Sequence, residues 1–323
     1  MRTRVFPRCG WALSEIGYGM WGMGGWTGSD DRESAQALDA AVALGCNVFD
    51  TAWAYGEGRS ERLLGALVTR HPDRRLYVAT KIPPKNRQWP GRASSSAEEV
   101  YPYDHVVEYA SKSLENLGLA SIDLLQLHVW DDSWTPASGW RDAAHELKAR
   151  GAIRAFGISV NRWEPDNVLA ALETGLVDSV QVVYNIFDQA PEDELFPACQ
   201  RLGVAVIARV PFDEGSLTGT LTPASRWPDG DWRNVYFSPA TLAATLPRVD
   251  RLRSIAADAG LTLPDLALRF ILSHPAVTTT IPGMRREAHV AGNLRNGSAD
   301  SLPPDTIAAL RAHRWDRRPD HRP

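Results

Sequence analysis

Four titratable side chains stand where apolar runs of this chain stop. They are Asp50 in NVFDTAWAYG, Tyr55 in the same segment, Lys81 in LYVATK and His128 in DLLQLH. A carboxylate, a phenol, an ammonium and an imidazole gathered at one place shift one another's pKa and can pass a proton. A tyrosine holds its proton at neutral pH, its ordinary pKa being about 10. A nearby cation draws that pKa toward the working pH, and Lys81 is positioned to be that cation. Asp50 would hold the lysine in place and keep it charged, while His128 would orient a carbonyl oxygen or relay a proton. Together they read as an acid aimed at an oxygen that becomes negative, which suits carbonyl reduction.

These residues meet only if their strands end at one mouth. Strand candidates are Ile16–Gly19, Asn47–Phe49, Leu76–Thr80, Asp123–Leu127, Ile153–Ile158, Ser179–Val183, Ala205–Ala208 and Thr278–Ile281. Helical periodicity fills the intervals at Asp31–Leu44, Ser60–Thr69, His105–Leu117, Ala137–Ala149, Pro165–Leu172, Glu192–Leu202, Ala240–Ala259 and Leu263–Ser273,. A glycine follows most of them, as a helix C-terminus favours. Eight strands alternating with helices and no linker predict a single (β/α)8 TIM barrel over residues 1–312, with 313–323 as a flexible tail,. Val5–Leu13 is expected as an N-terminal hairpin closing the bottom. Long loops at Pro83–Pro102, Trp130–Pro136 and Phe212–Pro239 fall after strands, hence on the C-terminal, catalytic face.

Composition excludes several classes. The chain has 323 residues, and a net charge of -4 gives no basic surface for nucleic acid,. No apolar run approaches the roughly 20 residues of a membrane span. The three cysteines, Cys9, Cys46 and Cys199, lack metal or CxxC spacing and read as reduced thiols of a cytoplasmic protein,. His128, Asp131 and Asp132 lack ligands from other strand ends, so no metal is expected. Gly17-Tyr18-Gly19-Met20-Trp21-Gly22 satisfies G-x-G-x-x-G, but a loop follows it instead of a helix, and the Rossmann reading is rejected,.

Extended motifs then carry a resemblance. Phe49-Asp50-Thr51-Ala52 with Tyr55-Gly56, Thr80-Lys81 and Leu125-Gln126-Leu127-His128 lie in the first half of the chain. Gly157-Ile158-Ser159, Val180-Gln181-Val182-Val183-Tyr184-Asn185, Gly215-Ser216-Leu217-Thr218-Gly219 and Ile281-Pro282-Gly283 follow in the second. In order and spacing, over about residues 10–295, the chain resembles the aldo-keto reductase superfamily, in the branch of bacterial reductases and potassium-channel β-subunits. The resemblance implies Asp50, Tyr55, Lys81 and His128 as the catalytic set, Tyr55 as acid, and hydride from NADP(H).

It also implies cofactor contacts. Gly19 and Trp21 match the segment beside the nicotinamide, and Asp50 borders it. Ser159 and Gln181 match the pair that binds the carboxamide, with Asn161 carried to the same role although Val160 intervenes where the family has Ser-Asn. Val210, Pro211, Phe212, Gly215 and Leu217 match the pyrophosphate loop. Gly283 is expected to open a helix whose free N–H groups favour an anion. Arg285 falls at the 2′-phosphate, with Arg286 as an alternative, and His289 and Asn293 fall at adenine. Arg209 stands where many relatives place an aromatic ring on the nicotinamide; a cation there would disfavour the oxidised cofactor.

Substrate identity should lie in the loops. Trp21, Trp53, Tyr55, His128 and Trp130 are the expected substrate contacts, with Trp134 as a further wall. Asp131, Asp132, Asn86 and Arg87 would meet hydroxyls or amines. A small-molecule carbonyl is implied: a sugar, cyclitol or specialised-metabolite ketone, or a compact aldehyde. Two alternatives stand beside the reductase. One is a cofactor-binding regulatory subunit with little turnover; the other is a Schiff-base lyase using Lys81, which a neighbouring Asp50 opposes by keeping the amine protonated.

Overall fold

The computed structural model describes residues 1–25 and 30–317. A hairpin of β1 (Thr3–Phe6) and β2 (Trp11–Ser14) precedes eight parallel strands. These are β3 (Tyr18–Gly19), β4 (Val48–Asp50), β5 (Tyr77–Ile82), β6 (Ile122–Leu127), β7 (Ile153–Ser159), β8 (Ser179–Val183), β9 (Ala205–Arg209) and β10 (Val277–Thr280), paired in sequence order. Bridges Ile16 to Thr280 and Gly19 to Gly283 join the last strand to the first and close the (β/α)8 barrel. All eight expected strands are present, and the G-x-G-x-x-G stretch itself opens only a single 3-10 turn, Trp21–Met23, among the described residues.

The helices are α1 (Asp31–Ala43), α2 (Arg59–Arg70), the short α3 (Ala97–Val100), α4 (Tyr103–Leu117), α5 (Ser138–Ala149), α6 (Leu169–Glu173), α7 (Leu195–Leu202), the short α8 (Arg233–Tyr236), α9 (Pro239–Asp258), α10 (Leu263–Leu272), α11 (Glu287–Leu294) and α12 (Pro304–Arg311). Their ends follow local chemistry. The Asp30 carboxylate accepts from Glu33 N at 2.8 Å to start α1, and Gly118 (φ 63°) ends α4 in the left-handed region,. Two expectations shift. The helix expected from Pro165 begins only at Leu169, because residues 165–168 form turns first. The anion-binding helix expected to open at Gly283 opens at Glu287, because Gly283 is engaged in the barrel seam.

Period-two alternation decides which side chains enter the barrel. Val48, Ala79, Leu124, Ala155, Ala205, Ile207 and Ile281 form one interior cluster, plugged below by Phe6 and Leu13 of the hairpin. Their neighbours Phe49, Val78, Leu125, Phe156, Val180 and Val206 face outward and pack against the helices. Residues further along the inward rows reach the C-terminal mouth. They are Asp50, Lys81, Gln126, Ser159, Gln181 and Arg209.

The end of the chain departs from expectation. Residues 313–317 are not a solvated tail: Trp315 packs on Phe187, and the Arg317 side chain is 8% exposed between two carboxylates. Residues 318–323 lie outside the described residues.

Candidate active site

The four strand-end groups converge. Lys81, wholly buried, donates from Nζ to Asp50 Oδ1, to Thr51 O at 2.8 Å and to Tyr55 Oη at 3.4 Å. The Asp50 carboxylate is completed from the far side, where Oδ2 accepts from Gln181 Nε2 (2.8 Å) and Gln126 Nε2 (3.1 Å). The register makes this possible: Lys81 pairs with Gln126, which pairs with Gly157. A side chain at Gly157 would collide with Ser179 Oγ and crowd the Gln126 stem, so glycine there leaves room for the amide to cross. Tyr55 sits in the loop after β4, with its ring edge-on to His128 at 5.6 Å.

Burial works against the Lys81 charge, but Asp50 and Tyr55 outweigh it and hold its pKa above the ordinary value. That favours a structural and electrostatic cation over a nucleophile, since a protonated amine cannot form a Schiff base. For Tyr55 the outcome differs from the expectation of a lowered pKa. Burial raises it more than the opposing pull of Lys81 lowers it, so the phenol stays protonated through neutral pH. His128 is pushed well below the usual imidazole value by burial, then by Lys81 and Arg209, and is a neutral ring. Its Nδ1 is buried without a hydrogen-bond partner. The mouth therefore offers a neutral phenol and a neutral imidazole beside a locked cation.

Several residues expected at the cofactor surround this mouth. Ser159 ends β7 and Gln181 lies opposite it in the β7–β8 register. Arg209 ends β9, with Nη2 donating to Val160 O at 2.9 Å and Nε buried without a partner. Burial, then Arg162, lowers its pKa to about 10, which leaves it charged at neutral pH. Val210, Pro211, Phe212, Gly215 and Leu217 belong to a tight loop with positive φ at Val210 (56°) and Gly215 (111°). Gly19 must approach the β10 end closely, for a Cβ there would lie 2.6 Å from Ile281 O. Trp21 is 48% exposed at the rim. Arg285 is exposed and lies over Gly22, while His289 is exposed and Asn293 buried on α11. Arg286 stands 3.5 Å from Glu33.

Asn161 is the exception. Both ends of its amide are spent on Gly91: Oδ1 accepts from Gly91 N (3.2 Å), and Nδ2 donates to Gly91 O (3.1 Å) and to Glu164. With Val160 before it, Asn161 lies past the end of β7, where its amide meets the loop after β5.

The expected substrate walls are partly corrected. Trp130 is fully buried and Trp134 nearly so; they stack edge-on at 5.7 Å, and Trp130 meets Trp140 at 5.1 Å. Both lie past the end of β6 and help build the layer between barrel and helices. Asp132 accepts from Ala170 N and Ala171 N at the start of α6, and Asp131 from Ser133 N. Neither carboxylate is left for substrate. Trp53 stays at the rim, edge-on to Tyr109 at 4.8 Å. A further wall, a loop tryptophan not among the expected substrate contacts, is Trp89, 46% exposed and edge-on to His128 at 4.6 Å. Its loop position after β5, two residues before Gly91, was the available signal. Gln126 was visible only inside a motif, with no hint that its amide reaches Asp50.

Among the described residues, no helix is long and apolar enough to cross a membrane. The aldo/keto reductase family model matches residues 15–314. An NADH-specific methylglyoxal reductase of Escherichia coli (strain K12) is 30% identical over 90% of this chain and 93% of that protein. A probable voltage-gated potassium channel β-subunit of Oryza sativa subsp. japonica is 26% identical over 97% of this chain and 96% of that one. The structure of a glycerol dehydrogenase from Gluconobacter oxydans superposes with a TM-score of 0.80 at 25% identity, covering 98% of this chain and 97% of that one. A barrel with a lysine–aspartate–tyrosine chain at its mouth and a match over nearly its whole length place this chain in the aldo/keto reductase family of nicotinamide-dependent oxidoreductases.

Proposed function

We propose that the protein reduces an aldehyde or ketone to an alcohol using NADPH, with Tyr55 as proton donor. The observation that carries this reading is the buried Asp50–Lys81–Tyr55 chain opening on an aromatic rim. When bound, the nicotinamide supplies the hydride. The unpaired Nδ1 of His128, the unpaired Nε of Arg209 and the polar ends of Ser159 and Gln181 suit its carboxamide and the carbonyl beside it. Tyr55, protonated at neutral pH, holds its proton toward a carbonyl oxygen at the mouth. Lys81 places its charge 3.4 Å from the phenol oxygen and stabilises the phenolate left behind,. Asp50, fixed by two amides, keeps Lys81 protonated and aimed. Neutral His128 orients the carbonyl by a hydrogen bond rather than by charge. Gly19, Trp21, Val210, Pro211, Phe212, Gly215, Leu217 and Gly283 border the dinucleotide path, with His289 and Asn293 toward adenine.

Arg285 and Arg286 favour NADPH over NADH, since guanidinium groups pair well with a phosphate. Arg209 beside the nicotinamide would weaken NADP+ more than NADPH. The rim of Trp21, Trp53 and Trp89 suits a small polar carbonyl compound or the corresponding alcohol, in keeping with the methylglyoxal and glycerol named for two relatives. Free Cys9, Cys46 and Cys199 fit a cytoplasmic setting.

The test is oxidation of NADPH and of NADH by the purified protein against 2-oxoaldehydes, keto-sugars and cyclic ketones. Turnover with at least one compound, at higher kcat/KM with NADPH, is expected. Tight NADPH binding without turnover across the panel would make the chain a cofactor-binding regulatory subunit instead.

A further inference from the structure

The last described residues pack against the segments that follow β8 and β9. Trp315 N donates to Phe187 O at 2.9 Å, and the Arg248 guanidinium lies 4.4 Å above the Trp315 ring. Arg314 pairs with Asp193 through Nη1 at 2.7 Å. Arg317 then enters between the loop after β8 and the segment that follows β9. Its Nη2 donates to Asp188 Oδ2 at 2.5 Å, its Nη1 lies 2.9 Å from Asp213 Oδ1, and it also donates to Tyr236 Oη. The exposures of the side chains of Arg317, Asp188 and Asp213 are 8%, 7% and 0%, so the pairing is almost dry and costly to break from one side,. Trp163, Phe187, Tyr236 and Trp315 surround the guanidinium at 5.0 to 5.9 Å.

Asp213 and Glu214 occupy the middle of the loop assigned to the dinucleotide pyrophosphate. Both have positive φ, 46° and 56°, in the left-handed region that costs energy for a residue with a side chain,. Such a backbone persists when its surroundings hold it. Both are also carboxylates on a loop that would cover an anion. Each is answered by an arginine from outside the loop: Asp213 by Arg317 and Glu214 by Arg162, which comes from the turn after β7. Asp213 further accepts from Ser216 Oγ at 2.7 Å and from Tyr236 Oη. Geometry and charge thus depend on a residue near the chain's end, 104 positions after Asp213 in sequence.

We propose that residues 313–317 form a latch on this loop, with Arg317 as the positioning residue that holds Asp213–Leu217 closed over a bound dinucleotide and sets its rate of release. The inference rests on the proposed cofactor reading and adds to it the element that controls residence time. Arg317 touches neither the tetrad nor the aromatic rim, so its effect should fall on cofactor and not on carbonyl affinity.

Stopped-flow release of NADPH is measured for the wild type, Arg317→Ala, Arg317→Lys and Asp213→Asn, together with hydrogen exchange of the folded proteins. Arg317→Ala is expected to release NADPH at least about tenfold faster, as affinity changes of this kind appear mainly in dissociation. The KM for the carbonyl should be unchanged, and exchange should quicken at 213–218 but not in β5 and β6. Arg317→Lys keeps a cation and should recover part of the slow release. Asp213→Asn should resemble Arg317→Ala, with little added effect in the double variant. A wild-type release rate in a folded Arg317→Ala protein overturns the latch, as does exchange that rises equally in β5 and β6. Absence of saturable NADPH or NADH binding by the wild type would remove the cofactor reading, whereas wild-type binding with unaltered release in the variant removes the latch alone.

Discussion

At the scale of single residues, the site works by holding one charge fixed and keeping its neighbours neutral. Tyr55→Phe removes the only proton Lys81 could help release, while the ring and its contact with His128 stay. Carbonyl reduction should fall by about 10²–10⁴-fold, with NADPH affinity unchanged in a fluorescence titration; wild-type turnover would refute the assignment of Tyr55. Lys81→Met should abolish activity too, and should also cost about 3–5 kcal/mol of stability by leaving Asp50 buried without its cation. His128 makes a pH prediction. Its folded pKa is depressed below the unfolded value of about 6.5, so the unfolded chain binds more protons in between,. Its contribution is complete above that pH and is lost as pH falls from there toward the folded pKa. Denaturant midpoints measured down this range should decline less steeply for His128→Asn than for the wild type. All four residues were legible because titratable groups closing apolar runs are conspicuous. The direction of the Tyr55 shift was not, because it depends on how much protein lies around the phenol.

At the scale of elements, the segment after β7 shows how one inserted residue changes what a side chain meets. Val160 takes the place where the family resemblance sets an asparagine, so Asn161 falls past the end of β7 and its side-chain amide clamps the Gly91 backbone by two hydrogen bonds. Trp89, two residues from that clamp, is thereby held over His128. Asn161→Ala should raise the KM for the carbonyl several-fold while leaving the dissociation constant of NADPH unchanged. A rise in the latter with the former unaltered would return Asn161 to the carboxamide. The sequence marked the tryptophans as wall candidates but could not sort them. Trp130 and Trp134 pack into the core and Trp89 stands at the rim, a distinction set by how each loop is anchored and packed.

At the scale of the whole molecule, the seam between the first and last strands brings the first-half motifs to those of the second. Gly19 lies in that seam, where any Cβ would press on the Ile281 carbonyl. Gly19→Val should destabilise the fold by about 1–3 kcal/mol in urea unfolding. Gly292→Ala in α11 meets nothing within 4 Å and should be neutral or stabilising by about 0.5–1 kcal/mol,. Equal effects of the two would argue against a tight seam. The eight strands, the hairpin and the mouth were all readable from alternation and spacing, which are local properties. So was the chemistry of Asp50, Tyr55, Lys81 and His128, because strand ends of a parallel barrel must share a face. Tertiary structure alone decided the rest: that burial outweighs Lys81 at Tyr55, that Gln126 and Gln181 complete Asp50, that Asn161 serves a loop, and that Arg317 returns to Asp213. Each depends on dielectric environment or on contacts between residues far apart in sequence, and neither is written in local pattern.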